Sequence, residues 1–483
     1  MRATYMTSNL TTGAVRPRAS AWARRAGAML ACGVLAACSD KQLVTANPIS
    51  VTPEAAGSNP LGALQLQATG ILATDRDNTD DYVRDVAIFG REGYFFQLQD
   101  SRWVTGYLRD YNDNASFGTG NWAGRYSNLR NIANFYTAVD ASAATLGTQQ
   151  AAAARGFAQT MEALQLLYLI NTRHDLGIAV QVLPDPQAVA PFVSRDSAFR
   201  YITNTLDAGL TNLRAGGSAF PFTLPTAGGG FTGFTTPTTF AQFNRALKAR
   251  VEAYRGSLGC GQACYTAALA ALGQSFITPT LSSSNLNTGV FNTFSSAAGD
   301  QVNLLWTERT NIYAHMSITT DASVPQNDTR LSKITTAPSR SQAGSDASTR
   351  VFAQYPASST PIPIIDNEEL WLLKAEAQWF TGDRTGALTT LNTVAQVAGG
   401  ATGSRYAAPA NDAAFLDALL VERRLSLLLE GHRWIDVRRF GRLASLPLGG
   451  TGFTVARQQV VPQAECIYRD RTGDAALKGP GCP

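Results

Sequence analysis
Histidine is scarce in this chain, with three in 483 residues (His174, His315 and His432), and none stands in an H-E-x-x-H context. Zinc-protease chemistry on that pattern is excluded. No G-x-S-x-G elbow occurs, and Gly228-Gly229-Gly230 lacks the Lys-Ser/Thr that a phosphate loop requires. Charged residues make up only 16% of the chain against 45% apolar, too little charge for a disordered or nucleic-acid-coating protein. No run approaches the roughly 18 to 20 apolar residues of a membrane-spanning helix. Basic charge is also sparse once its position is considered. Residues 1–37 hold five arginines (Arg2, Arg16, Arg18, Arg24, Arg25) and no acid, so loss of that segment takes the formal charge from +4 to −1. The basic balance therefore says nothing about partners of the remainder. Any 36 acidic residues supply carboxylate pairs of the kind glycoside hydrolysis uses, but no motif singles one out. The expectation is a protein that is not an enzyme, with no catalytic residue, no metal and no cofactor.

What is present begins with a leader. Arg24 and Arg25 precede a short apolar run, Ala26 to Ala37, the charged and apolar regions of a secretory signal rather than of a spanning helix. The run ends in Leu35-Ala36-Ala37-Cys38, which resembles the bacterial lipobox. Residues 1–37 are thus read as a lipoprotein signal peptide and Cys38 as the acylated first residue of the mature protein. Stable anchoring needs more than one acyl chain, and a lipoprotein cysteine carries them. Residues 38–60, rich in Ser, Pro, Asn and Thr, read as a flexible tether.

With Cys32 lost in the signal and Cys38 acylated, four cysteines remain: Cys260, Cys264, Cys466 and Cys482. An even count outside the cytoplasm suggests two disulfides. Of the three pairings, Cys260 with Cys264 and Cys466 with Cys482 needs the least chain rearrangement. Zinc is the rival, but C-x-x-x-C without a neighbouring histidine is a poor spacing for it.

Helical periodicity dominates the rest. Trp122, Tyr126, Leu129, Ala133 and Tyr136 recur at steps of four and three, as do Phe157, Met161, Leu164 and Tyr168. Phe199 to Leu213 forms a third stripe with Ser194 as its N-cap, Phe243 to Leu258 a fourth ended by Gly259, and Tyr265 to Leu272 a short fifth. Leu370 to Phe380, a break at Gly382-Asp383, and Leu388 to Ala398 make an antiparallel helix pair. Residues 413–430 add one more helix. Between them, 72–121, 216–238 and 274–364 read as long loops, the working surfaces of such a scaffold. The pair at 367–398 has the look of a tetratricopeptide unit, although no 34-residue period runs through the chain.

These residues point to a family. Glu369-Leu370-Trp371-Leu372-Leu373-Lys374-Ala375-Glu376-Ala377, then Gly382-Asp383, Ala387, Leu391-Asn392, Glu422-Arg423 and Leu429-Glu430-Gly431-His432-Arg433-Trp434-Ile435-Asp436-Val437-Arg438 resemble the C-terminal signature of SusD/RagB outer-membrane lipoproteins. Trp122 to Asn134, Ser194 to Leu213 and Phe243 to Tyr254 look like the family's other helices in order. The chain departs from the pattern at Asp366, where the family commonly has Arg, and in its cysteine-closed tail. The resemblance implies a mainly α, SusD-like fold: tetratricopeptide-type helix pairs (about 120–273 and 367–440) packed on a loop-rich half with few short strands, in one domain over 61–483. It also implies a surface-exposed lipoprotein, anchored in the outer membrane by lipid only, that binds oligosaccharide and hands it to a SusC-like TonB-dependent barrel. A peptide ligand, or a tetratricopeptide-type scaffold binding only proteins, are the alternatives.

Sugar recognition needs flat apolar faces for C–H surfaces and planar polar groups for hydroxyl pairs. Residues 94–117 offer Tyr94, Trp103, Tyr107, Tyr111 and Phe117 with Gln99, Arg102, Asp110 and Asn112. Trp306, Arg309, Asn311 and Tyr313 form a second cluster. We expect Trp103, Tyr107 and Trp306 as stacking faces, and Arg102, Asp110, Arg309 and Asn311 as hydroxyl partners. Asp77, Asp80 and Asp81 read as a solvated acidic loop rather than a calcium site, and Arg423, Glu430, Arg433 and Asp436 as a buried ion-pair network.

Overall fold
The computed structural model describes residues 59–112, 120–185 and 187–482. The signal peptide, Cys38, nearly all of the tether, and Phe117 lie outside the described residues. Before the middle of the chain come α1 (Pro60–Asp77), α2 (Thr79–Phe89), β1 (Gly93–Phe95), α3 (Arg102–Leu108), α4 (Gly120–Ala141), α5 (Ala143–Arg173), α6 (Arg195–Ala215), α7 (Pro237–Arg255) and α8 (Gln262–Leu272). A strand-bearing stretch follows, with β2 (Gly289–Asn292), α9 (Leu304–Thr307), β3 (Ile312–Ala314), α10 (Ser317–Thr320), β4 (Ile334–Arg340), β5 (Ser348–Phe352) and β6 (Ile362–Asp366). The chain then returns to helices: α11 (Asn367–Phe380), α12 (Arg384–Val397), α13 (Asp412–Ser426), α14 (Arg433–Arg439), α15 (Gln463–Asp470) and α16 (Ala475–Lys478). The protein is mainly α-helical with few short strands, as the periodicity and the resemblance imply.

Local chemistry sets the helix starts. The Ser194 side chain accepts from the Ser197 N–H, and Thr236 and Thr239 form a reciprocal capping box with Pro237 in the first turn of α7. Gly382, at φ +98°, turns α11 into α12, and the Asp383 carboxylate caps the new helix through the Gly386 N–H. Helices that follow one another pack side by side: α4 on α5, α5 on α6, α6 on α7, α7 on α8, and α8 on α11, which pairs with α12. Gly156 of α5 lets α6 come close, since a Cβ there would lie 2.9 Å from the Leu213 nitrogen.

Trp379 and Phe415 stack at 4.1 Å in a cluster between α11, α12 and α13, while a larger core runs through the remaining elements. One antiparallel sheet has the order β1-β3-β5-β4 and the other pairs β2 with β6. Asp75 joins helices to sheet: it takes Arg125 Nη1 at 2.7 Å, Gln165 Nε2 at 2.7 Å and Asn292 Nδ2 at 3.0 Å.

Four expectations require correction. Residues 72–112 are mostly helix, with the end of α1, then α2 and α3, and 274–364 carry five strands. The supposed acidic loop is likewise helical, Asp77 ending α1 and the other two starting α2, where Asp80 is buried and Asp81 pairs with Arg84. Polar composition misleads here because the polar groups face one another, and carboxylates in a first turn favour a helix start. Helix α13 also stops at Ser426, short of residue 430.

The Glu-Gly-His-Arg-Trp run leads into α14, with Glu430 to His432 in the turn after α13, where Leu429 and Gly431 adopt positive φ, and Arg433 and Trp434 in the first turn of α14. Asp436 takes Arg423 Nε at 2.8 Å and Arg439 Nε at 3.0 Å, and Arg439 continues to Glu376. Glu430 stands apart, 3.5 Å from Lys333 Nζ, and Arg433 Nε donates to the Gly90 carbonyl. In the structure Cys260 is bonded to Cys264 and Cys466 to Cys482, with Cα separations of 5.8 and 5.2 Å.

Candidate ligand-binding face
Helix α2 presents Arg84 to the first aromatic cluster and to Glu308, which follows Trp306 in the second segment. Its guanidinium lies 4.6 Å from the Trp103 ring centroid and 5.3 Å from that of Phe95, and its Nη1 donates to Glu308 Oε2 at 2.8 Å. Asp81 takes its other amino group. Burial works against the Arg84 charge, but Asp81 and Glu308 outweigh it and hold the pKa above the usual arginine range. Asp80 beside it is pushed up to about 7, by burial first and then by Asp81.

The two segments, some 200 residues apart in sequence, meet through the β1–β3 ladder as well. Tyr94 pairs with Tyr313, and the Phe96 N–H donates to the Asn311 carbonyl at 2.8 Å. Trp103, on α3, is half-buried, with its ring edge-on to Phe95 at 4.7 Å and stacked on Tyr107 at 6.0 Å. Trp306, on α9, is half-buried too. Its indole N–H donates to the Pro356 carbonyl at 3.1 Å, and the Arg309 guanidinium covers the ring at 4.4 Å while donating to the Trp306 carbonyl at 2.6 Å. Arg309 is exposed, and Asn311 is half-buried with its Oδ1 3.5 Å from Arg340 Nη1. Arg102 is exposed and paired with Asp100 at 2.7 Å, which holds the Asp100 carboxyl below its ordinary range.

The geometry alters the expected site. Tyr107 is 2% exposed and donates its hydroxyl to Asp85 Oδ1 at 2.5 Å, so it is a core residue and not an open stacking face. Tyr94 is also buried, its hydroxyl on the Gly449 carbonyl at 2.8 Å. Asp110 pairs with Arg109 at 3.0 Å, beyond the end of α3, where the Leu108 carbonyl accepts from the Thr454 N–H. Both tryptophans stand on short helices rather than loops. Sequence reasoning missed Arg84, Phe95 and Glu308; the Asp81-x-x-Arg84 spacing was the available signal.

Elsewhere, burial lowers the pKa of His174 to about 3 and those of His315 and His432 to about 4, with neighbouring arginines adding to it, so all three are neutral near pH 7. Among the described residues no group of three or more His, Cys, Asp or Glu side chains gathers at a metal-binding spacing. No helix of the described residues is long and apolar enough to cross a membrane.

The sequence from the end of β5 through α15 decides the relationship, for residues 353–473 match the SusD family. This region belongs to the SusD family. The fold around it is SusD-like as well. A SusD superfamily protein from Parabacteroides distasonis superposes with a TM-score of 0.64 at 14% identity, covering 88% of this chain and 98% of its own. One from Bacteroides vulgatus gives 0.63 at 13%, covering 84% and 97%. NanU from B. fragilis gives 0.60 at 16%, covering 89% and 99%. No curated protein matches the sequence. The helix pairs and the residues gathered around Arg84 thus lie in one SusD-like fold.

Proposed function
We propose that this protein is a lipid-anchored outer-membrane lipoprotein that binds an oligosaccharide at the Trp103–Trp306 face and delivers it to a SusC-like TonB-dependent barrel. The SusD match supports a nutrient-binding role rather than an enzymatic one. The observation that carries the ligand assignment is Arg84, buried against the half-buried Trp103 ring and ion-paired with Glu308, two residues after Trp306. It fixes Trp103 and the Glu308 turn that follows Trp306 as parts of one surface. Arg102, Arg309 and Asn311 stand beside these rings as planar groups for hydroxyl pairs. In this reading residues 1–37 are cleaved, Cys38 carries the lipid, and 38–60 hold the domain off the membrane.

The test is a glycan and peptide binding screen on the chain lacking residues 1–38, followed by titration of the best ligand against Trp103→Ala and Trp306→Ala. Each change should weaken binding about tenfold if about 1.4 kcal/mol of stacking is lost. Folded variants that bind as tightly as the parent refute the face. Pull-down of tagged protein from membranes should recover a much larger barrel, and recovery of the protein alone in mild detergent counts against the partner.

A further inference from the structure
Away from the aromatic face, helices α4, α5 and α6 and the irregular segment at 180–183 border a cleft of about 290 Å³. That is far above the roughly 10–15 Å³ one water needs. Leu129, Ile132 and Val180 make its walls apolar, and Glu162 is the one charged side chain among the described residues that line it. Tyr136 of α4 donates its hydroxyl to Glu162 Oε2 at 2.7 Å, and Tyr201 of α6 donates to Oε1 at 2.9 Å. No Lys, Arg or His side chain pairs with this carboxylate among the described residues. The outer wall is pinned in place: Tyr126 holds the Ala179 N–H and carbonyl at 3.0 Å each, and Arg130 Nη1 donates to the Leu183 carbonyl at 2.8 Å.

A carboxylate in such surroundings is normally paired with a cation or moved to the surface. Here both tyrosines spend their single proton on Glu162, so the Tyr136 oxygen keeps its lone pairs, and the Tyr201 oxygen, which also meets the Thr205 side chain, keeps one. Three acceptor groups, the carboxylate and two phenol oxygens, converge at one end of an apolar cleft. That set matches the three donors of a primary ammonium, and the tyrosine rings add attraction for a cation. Apart from this acceptor set only Gln181 among the described lining residues has a further polar side chain, so a ligand with an apolar stem suits the walls better than a bare sugar. Burial also raises the Glu162 pKa above its ordinary value, against the two tyrosine hydrogen bonds, so an arriving cation relieves an existing electrostatic penalty.

We propose that this cleft is a binding site for a primary ammonium on an apolar stem, with Glu162 as counter-ion and Tyr136 and Tyr201 as flanking acceptors. The stem is that of a small alkyl amine or of a lysine side chain, and the two sources are separable by experiment. Titrate the whole chain in mild detergent with n-hexylammonium, with hexanol as its uncharged analogue, and with a lysine-containing peptide against its norleucine counterpart. The expected result is saturable binding of an ammonium probe, at least tenfold tighter than its uncharged analogue and weakened at least tenfold by Glu162→Gln. Tyr201→Phe, which leaves the carboxylate, should weaken it a few-fold. Tighter binding of hexylammonium identifies a free amine, and tighter binding of the peptide identifies a protein lysine. Glu162→Gln is near-isosteric, and an unchanged melting temperature confirms that both variants stay folded. Failure of both ammonium probes to bind, equal binding of charged and uncharged probes, or unchanged affinity in a folded Glu162→Gln protein overturns the proposal. None of these results bears on the Trp103–Trp306 face.

Discussion

Replacing Asp436 by Asn should be among the most damaging single changes in the protein. Both carboxylate oxygens are committed, one to Arg423 Nε at 2.8 Å and one to Arg439 Nε at 3.0 Å, and Asp436 is 2% exposed. Arg439 keeps its second partner, Glu376. Arg423 does not have that resource: it is 1% exposed, and its Nη1 and Nη2 have no hydrogen-bond partner among the described residues. The amide preserves shape but takes from the buried Arg423 its direct ion-pair partner, leaving only the weaker field of Glu369, a loss of about 3–5 kcal/mol. With a urea m-value of about 3 kcal/mol/M or more for a chain this long, the midpoint should fall by about 1 M. Trp434, fully buried two residues away and stacked on Phe89 at 4.8 Å, is a fluorescence reporter of that transition. Replacing both partners, Arg423→Met with Asp436→Leu, should cost less than the two single changes summed, because no bare charge remains. The pH dependence has a definite sign. Burial opposes the Asp436 charge, but Arg423 and Arg439 outweigh it and depress the pKa. This contribution is present above the unfolded value of about 3.9 and is lost as pH falls through the lower folded one, so the variant should lack that acid-side decline. A folded Asp436→Asn protein within about 1 kcal/mol of the parent, with an unchanged m-value, would falsify this account of the network.

Three further outcomes are expected. Tyr107→Phe should leave ligand affinity unchanged while lowering stability by about 1–3 kcal/mol, since buried Asp85 loses a donor; a tenfold loss of affinity with stability intact would return Tyr107 to the ligand face. Asp80→Asn should stabilise the protein at alkaline pH. Its folded pKa, about 7, lies above the unfolded value, so stability is full below about pH 4 and is lost as pH rises through 7; calorimetry at pH 5.5 and 8.5 should show a gain on the order of 3–4 kcal/mol at the higher pH, and equal melting temperatures there would contradict it. Cys38→Ala should move the protein from the membrane fraction to the soluble fraction, and an unchanged membrane fraction would disprove acylation at that residue.

The helix pairs were legible in the sequence because their signals are local. Ser194 caps α6, Gly382-Asp383 separates α11 from α12, and the stripes from Trp122, Phe157 and Phe243 are core-facing. Residues 72–112 were illegible for the opposite reason. Arg84 finds Glu308 224 positions away, and Asp85 is held by Tyr107, Asn121 and Gln459. A polar stretch whose partners are that distant looks identical to a solvated loop. Trp103 and Trp306 were recognisable as candidate rings, but Arg84, which joins Trp103 to Glu308, was not, and the burial of Tyr107 depends on Asp85 on another helix.

The chain closes on itself near its two ends, and this bears on the order in which it can be completed. Arg91, fully buried after α2, donates to the carbonyls of Pro447, Leu448 and Thr454, and Gln459 joins Asp85 to Arg173. A polypeptide emerging N-terminus first must wait for more than 350 further residues before the charges flanking α2 meet their acceptors. Local helix pairs can form early, but the α2 region cannot be finished until the penultimate segment arrives, and loop closure over that span is slow. A stop codon before residue 447 would therefore damage the beginning of the protein at least as much as its end.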